Sequence, residues 1–445
     1  MDVALQKMAD CIDANRLLLD IHLVDFITEE LWEKNVPTCL QKCLLTTRVE
    51  WYKFVNALYN GKEDLKYIDG HDELNNFISN GRANSLDFLN ELCNNCYPDD
   101  AEDDYKHCMK TKKSIEINNI SRIVNKLCKE NNLQNIIDVG SGKGYLSSYL
   151  ALKYNFNVLG IDSQTICSQG AVLRNDKVKK TWKSHEDKIA GTFKCINHSI
   201  ENTSPLTDLW CEIYPELKSK DFLLVGLHTC GDLSVKMMNL FLQSPDVKVF
   251  FNIGCCYNLL EEEFSVDDKN VVANSCFPLS KTLRDRKFYL GRKARMLAQQ
   301  SLHRLIETKS SMNPTLYYRS LLQVIIRDKF KLNPDVPVGR MGKKCCNFLE
   351  YVRKSLPKLN LDNEEISNEE IDSYLIKYQP YQDQMECVFR LRSILAPVVE
   401  SLIILDRYCY LKHQDVISQV YITKVCSPIH SPRCYAIIAI KTDFT

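Results

Sequence analysis

Neither sign of charge predominates in this 445-residue chain: Lys plus Arg and Asp plus Glu each total 57, so the formal net charge is zero. A global pull toward nucleic acid or acidic lipid is excluded, and any surface for such partners has to be local. Long apolar runs are missing as well. No stretch approaches the roughly 20 apolar residues that a membrane-spanning helix requires. The first residues include Asp2, Lys7, Asp10 and Asp13 and lack the uninterrupted apolar segment of a secretory signal. No membrane partner is expected. Internal repeats and low-complexity tracts are absent, and Gly and Pro are sparse in the first part of the chain.

Cysteine, by contrast, is plentiful at 20 residues. Without a signal segment the expectation is reduced thiols in the cytoplasm or nucleus and no disulfides. A zinc pattern does not emerge either. Cys39, Cys43, Cys93, Cys96 and Cys108 share one N-terminal region, but no second well-spaced Cys or His pair completes a site, so no metal is expected.

The length suffices for two or three domains that bury their own cores. Residues 1–98 read as a helical domain, with Leu19, Leu23, Phe26, Ile27 and Leu31 at helix spacing, and this domain is a candidate surface for a protein partner. Residues 99–113 read as a charged linker, acidic from Asp99 to Asp104 and then basic at Lys106, Lys110, Lys112 and Lys113. From residue 114 to 280 helices alternate with short apolar strands, the signature of a parallel sheet covered on both faces. Strands are expected at Ile136–Val139, Val158–Ile161, Phe193–Ile196, Phe222–Leu227 and Val247–Ile253, after a helix over residues 114–128. Residues 281–384 read as a mostly helical insertion in which Ser367 and Glu370 are spaced for a capping box. Residues 385–445 return to the sheet, with an apolar helix from Leu395 to Leu411 and a β-hairpin of Val416–Thr423 and Tyr435–Ile440. The fold class expected is α/β: a Rossmann-like, seven-stranded mixed sheet with a helical N-terminal domain and a helical insertion before the C-terminal hairpin.

The run Asp138-Val139-Gly140-Ser141-Gly142-Lys143-Gly144-Tyr145 lies where the first strand of this region hands over to a helix. Glycines there allow a tight turn and a close approach of backbone to ligand. Asp162, ending the next strand, is placed to accept from two ribose hydroxyls, which implies a nucleoside-bearing cofactor. A dinucleotide fingerprint needs a third glycine where this chain has Tyr145, and a phosphate-binding loop needs Ser or Thr where it has Gly144. The reading adopted is S-adenosylmethionine (SAM), with Asp138, Gly140, Ser141, Gly142, Gly144 and Asp162 as its site; the alternative is a glycine turn with no ligand and an Asp162 that merely caps the next helix. One antiparallel strand in a seven-stranded sheet agrees with that choice.

Further runs resemble a known family: Gly226-Leu227-His228-Thr229-Cys230-Gly231-Asp232-Leu233-Ser234, Gly254-Cys255-Cys256-Tyr257 and Phe277-Pro278-Leu279-Ser280. With Asp25-Phe26-Ile27-Thr28, Leu31-Trp32, Leu395-Ala396-Pro397-Val398-Val399-Glu400 and Leu405-Asp406-Arg407, they are similar to the methyltransferase-like protein 25 and 25B family over most of the chain. The resemblance implies a class I SAM-dependent methyltransferase. One departure is visible: where relatives tend to carry Lys-Lys-x-His-Glu, this chain has Lys112-Lys113-Ser114-Ile115-Glu116. The His-x-Cys-Gly and Cys-Cys runs are also similar to motifs of a tRNA 2'-O-methyltransferase family, which tilts the expected substrate toward RNA.

Residues that follow the fourth and fifth strands should face the transferable methyl group. There stand His228, Cys230, Cys255, Cys256 and Tyr257, the candidate catalytic residues. His228 suits a general base near neutral pH, or else a core histidine holding the loop. The cysteines suit a thiolate addition to cytosine, or small apolar packing beneath the cofactor. Asp232 is expected to cap the helix that follows. No Asn-Pro-Pro-Tyr motif follows the fourth strand, which counts against exocyclic adenine methylation. Beyond Pro278, Lys281, Arg284, Arg286, Lys287, Arg292, Lys293 and Arg295 gather around Phe288 and Tyr289. Arg284, Arg286, Arg292 and Lys293 are the candidate substrate contacts, as a phosphate-holding wall or a solvated basic face. Three functions stay open: an RNA methyltransferase, a protein side-chain methyltransferase, and a silent adaptor on the same fold.

Overall fold

The computed structural model describes residues 1–46, 72–89, 93–95, 109, 111–182, 191–217, 220–266, 275–309, 311–333 and 345–442. Most of the charged linker, from Asp99 to Asp104 with Lys106 and Lys110, lies outside the described residues, as do Cys96 and Cys108. The chain divides into two compact units, one of Met1–Ala9, Asn84–Ser301 and Val399–Thr445, the other of Asp10–Ala83 and Leu302–Val398.

The first unit is built on one sheet of strands β1 Cys93–Asn95, β2 Asn135–Val139, β3 Asn157–Asp162, β4 Thr192–Asn197, β5 Phe222–Cys230, β6 Val247–Cys255, β7 Ile417–Lys424 and β8 Tyr435–Lys441. Their order is β1-β7-β8-β6-β5-β2-β3-β4. All neighbours are parallel except β8, which runs antiparallel to both β6 and β7. This is the expected Rossmann-like mixed sheet of seven strands, joined by one short edge strand, β1. Cys93–Asn95 had read as part of a helical region; with two asparagines and no apolar alternation, three residues carry no strand signal, and only pairing with Ile422–Lys424 makes them one.

The central strands are continuous apolar runs because both faces are covered. Phe222, Leu223, Leu224 and Val225 are all fully buried, as are Ile136, Ile137 and Val139. Helices Tyr145–Tyr154, Thr165–Trp182, Leu206–Ile213 and Leu233–Gln243 make the crossovers. The strand order reverses at β2, which lies between β5 and β3. Such a switch point leaves a crevice at the carboxyl ends of the strands.

Two of the motifs noted in the sequence meet in the core of this unit. The carboxylate of Asp406, on helix Gln379–Lys412, is fully buried and accepts from the Leu279 N–H at 2.8 Å, the Ser280 N–H at 2.8 Å and the Ser280 hydroxyl at 2.6 Å. Next to it Arg407 donates to Ser234 Oγ at 3.0 Å. A Cβ on Gly254 would come within 2.5 Å of Arg407 Nη1, so a side chain at 254 would have to displace the guanidinium from its present place.

The second unit is helical in its described residues. Tyr318 packs its ring against Phe348 and Tyr351 at 5.5 and 5.8 Å. Ser367 and Glu370 form the capping box that their spacing predicts. Gly81 lets its helix approach Ile394, whose Cγ2 lies 2.7 Å from where a Cβ would stand.

Asp406→Ala removes one acceptor and strands three buried donors. It should cost about 2–4 kcal/mol, measured by chemical unfolding; a variant as stable as the parent would show that this carboxylate does not hold the Leu279–Ser280 segment.

Candidate functional site

The turn after β2 is formed by Gly140, Gly142 and Gly144, all in the left-handed region at φ of 68°, 55° and 64°. That conformation costs a side-chain-bearing residue energy and costs glycine little. At Gly144 space is short as well, since a Cβ would meet the Phe193 ring at 2.8 Å. The turn is stitched to the end of β3. Gly140 and Ser141 N–H groups donate to Ile161 O at 2.8 and 3.2 Å. Asp162 accepts from Gly142 N–H through Oδ2 and from Gln164 N–H through Oδ1, both at 2.9 Å.

At the carboxyl ends of the strands lies a cleft of about 470 Å³. Gly140 from the turn, Asp162 to Gln164 after β3, His198 and Ser199 after β4, and His228, Cys230 and Asp232 around the end of β5 line it. Its size lies in the ~300–1,000 Å³ range of small-molecule and cofactor sites. Asp162 uses two of its roughly four lone-pair positions on backbone, which leaves acceptor capacity for a ligand.

Of the residues assigned to a cofactor from sequence, Gly140 and Asp162 line this cleft, whereas Ser141, Gly142 and Gly144 shape the turn behind it. Asp138 turns inward instead: its carboxylate is buried and accepts from the Ser147 hydroxyl. Burial raises its pKa to about 7, against the opposing pull of Ser147 and Lys113.

His228 sits at an irregularity in the β5–β6 register, between Leu227 and Thr229, with φ of 62°. Left-handed backbone is uncommon for a residue with a side chain, and bulges of this kind re-aim side chains beside active sites. Its Nε2 is 2.9 Å from Glu116 Oε1. Glu116 is buried on helix Thr111–Glu130, where it is also held by Lys113 at 2.9 Å and by the Ser431 hydroxyl at 2.9 Å. Desolvation alone would raise the pKa of this carboxyl, but His228 and Lys113 overcome it and bring it to about 2. Because the carboxylate can only accept, the imidazole proton belongs on Nε2, and Nδ1 is left with the lone pair.

The three cysteines converge, with Cys230 Sγ 3.2 Å from the sulfurs of both Cys255 and Cys256, and those two 3.7 Å apart. Burial raises the pKa of Cys230 and of Cys255, so neither is the ready thiolate that addition to cytosine requires. Tyr257 lies outside the cleft. It is buried, its hydroxyl donates to Glu400 at 3.3 Å, and its ring lies near the guanidinium groups of Arg407 and Arg433 at 5.8 and 5.5 Å. Asp232, expected to cap the next helix, makes no capping bond; its backbone is already helical, and Oδ1 accepts from Glu261 N–H at 2.9 Å instead.

The basic cluster does not line the cleft. Arg295 is spent on the fold, with Nε on Glu262 at 3.0 Å and Nη1 on the carbonyl of Asn258 at 3.1 Å. Arg284 pairs with Glu263 at 3.1 Å. Arg286, Lys287, Arg292 and Lys293 are exposed.

Sequence reading missed Glu116 as a partner of His228, since 112 positions separate them. It also missed His198 and Ser199, although their place just after β4 was a usable signal.

The fold and this cleft define a methyltransferase domain, and a sequence profile described as a methyltransferase domain matches residues 112–263. A Mus musculus protein named "Probable methyltransferase-like protein 25" is 33% identical over 75% of this chain and 75% of its own length. The Homo sapiens protein of that name is 31% identical over the same shares. The chain belongs to the methyltransferase-like protein 25 family. Among solved structures, that of M. capricolum TrmK with S-adenosyl-homocysteine has 14% identity and a TM-score of 0.22, covering 61% of this chain and 99% of that one.

Asp138 gives a pH test. Its folded pKa, raised to about 7, lies above the ordinary 3.8, so the folded state holds a proton that the unfolded chain has released between those values. Its contribution to stability therefore falls as pH rises from about 4 to about 7. Asp138→Asn should remove that slope and gain roughly 1–3 kcal/mol on the parent above pH 7; parallel stability–pH curves would contradict the assignment.

Proposed function

We propose that this protein is a SAM-dependent methyltransferase acting on RNA. The observation that carries the first part is the joint placement of Gly140 and Asp162 on one cleft at the switch point of the sheet. Bound there, SAM would supply an activated methyl group on sulfur. Asp162 would accept from the ribose hydroxyls, and the turn at Gly140 would pass under the methionine portion without a side chain to obstruct it.

His228 is the residue on this cleft best suited to take a proton from an acceptor hydroxyl or amine. Glu116 orients it by accepting from Nε2, which leaves Nδ1 to act as the base. Lys113 and Ser431 fix Glu116 in turn. RNA is favoured by the exposed Arg286, Lys287, Arg292 and Lys293, a local basic surface on a chain of zero net charge. A role for the N-terminal helices in binding a protein partner belongs to the same proposal, as does action in the cytoplasm or nucleus. Among the described residues no helix is long and apolar enough to cross a membrane.

Calorimetric titration with SAM should give saturable binding that Asp162→Ala and Gly142→Arg each weaken at least tenfold, about 1.4 kcal/mol. Undiminished binding in both would remove the site assignment. Tritiated SAM added to fractionated lysate with the protein should label nuclease-sensitive material; label that resists nuclease and yields to protease would replace RNA by a protein substrate. Glu116→Gln should leave SAM affinity within about twofold of the parent yet lower turnover roughly 10–100-fold and change its pH profile. An unchanged profile would make the His228–Glu116 pair purely structural.

A further inference from the structure

Methyl transfer as derived above makes no use of Cys230, Cys255 and Cys256, yet the backbone goes to some length to bring them together. Successive side chains on a strand point to opposite faces, so Cys255, ending β6, and Cys256 would ordinarily diverge. Cys256 instead has φ of 48°, which turns its sulfur back to within 3.7 Å of its neighbour's. Cys230 stands directly opposite Cys255 in the β5–β6 pairing, just past the irregularity in which His228 is also left-handed. Two residues with side chains thus sit in a costly conformation beside Cys230, whose sulfur is 3.5 Å from the His228 carbonyl and 3.2 Å from Cys256 Sγ, and such strain persists where a site needs it.

The sulfur positions suit a tetrahedral thiolate centre. Zinc–sulfur bonds of about 2.3 Å place ligand sulfurs ~3.8 Å apart; the Cys255–Cys256 separation of 3.7 Å matches this, and the two separations of 3.2 Å from Cys230 would have to widen by about 0.6 Å to admit the ion. The three form the only group of ligand atoms of this type among the described residues. Cys230 is the exposed member and lines the cleft, so a fourth position would face the cleft. Three thiolates and a divalent ion carry one net negative charge, and the buried guanidinium of Arg407 packs against Gly254, one residue before Cys255.

We propose that Cys230, Cys255 and Cys256 bind a zinc ion through their three thiolates, with the fourth coordination position open to the cleft. Soft sulfur donors select zinc over magnesium or calcium. Each ligating thiol releases its proton to solvent on binding, with no change in oxidation state, so affinity rises with pH.

The test uses the full-length protein purified under reducing conditions without chelator. Elemental analysis should find about one zinc per chain. Replacing it with cobalt(II) should give a near-ultraviolet thiolate-to-cobalt charge-transfer band. Cys230→Ser, at an exposed position, and Cys256→Ser should each lower the band by about a third or more and weaken zinc binding at least tenfold, with unfolding curves recorded to show that both variants fold. A folded, reduced parent that takes up neither metal would overturn the proposal. So would zinc retained undiminished in both variants, or a disulfide recovered within the trio. None of these readings needs SAM, so their failure is separate from failure of the methyltransferase site.

Discussion

The structure depends most on a single carboxylate. Asp162 holds the Gly142 N–H with one oxygen and the Gln164 N–H with the other, and so ties the turn after β2 to the end of β3. Three left-handed glycines make that turn possible, but glycine is costly to order, and the tie offsets part of the entropy lost. The same oxygens retain lone pairs toward the cleft. One side chain therefore both holds the turn and lines the cleft at the carboxyl ends of the strands.

Around that point the polar groups of the fold are arranged so that buried charge has partners. Asp406 takes three donors from Leu279 and Ser280, Glu400 pairs with Arg433, and Arg295 satisfies Glu262 and loop carbonyls. An unpaired charge in these places would cost several kcal/mol, and each pair links segments far apart in sequence. The Phe277–Ser280 and Leu405–Arg407 runs thus serve the architecture, while Gly140, Asp162 and His228 line the cleft. The two kinds of motif look alike in the sequence and are told apart only by what each side chain touches.

Much of the sheet was legible because buried parallel strands announce themselves as apolar runs. The strands expected at Phe222–Leu227 and Val247–Ile253 exist but run on to Cys230 and Cys255. The polar and sulfur-bearing ends were invisible to an apolar criterion. The helix expected from Leu395 starts at Gln379, since its first turns carry too many polar residues to show the pattern. Position after a strand sufficed to place Asp162 and His228 on the cleft. It could not show that Asp138 turns toward Ser147, that Asp232 serves Glu261, or that Arg295 is consumed by Glu262. Those outcomes are set by contacts across 9 to 33 positions, beyond what local spacing encodes. Cys230, Cys255 and Cys256 were singled out from the sequence as catalytic candidates, but not as one cluster of sulfurs, because the third lies 25 positions from the first of the adjacent pair and no zinc-type spacing connects them.

On the proposed reading, the acid ending β3 binds the sugar of the methyl donor while still holding the turn. A crystal structure of the protein with S-adenosyl-homocysteine tests this most directly. It should show the ribose hydroxyls within hydrogen-bond reach of Asp162, with the amino-acid end of the ligand over Gly140 and its sulfur toward His228. A ligand bound elsewhere on the protein, or one in this cleft that leaves the Asp162 oxygens to the two backbone N–H groups alone, would contradict the account.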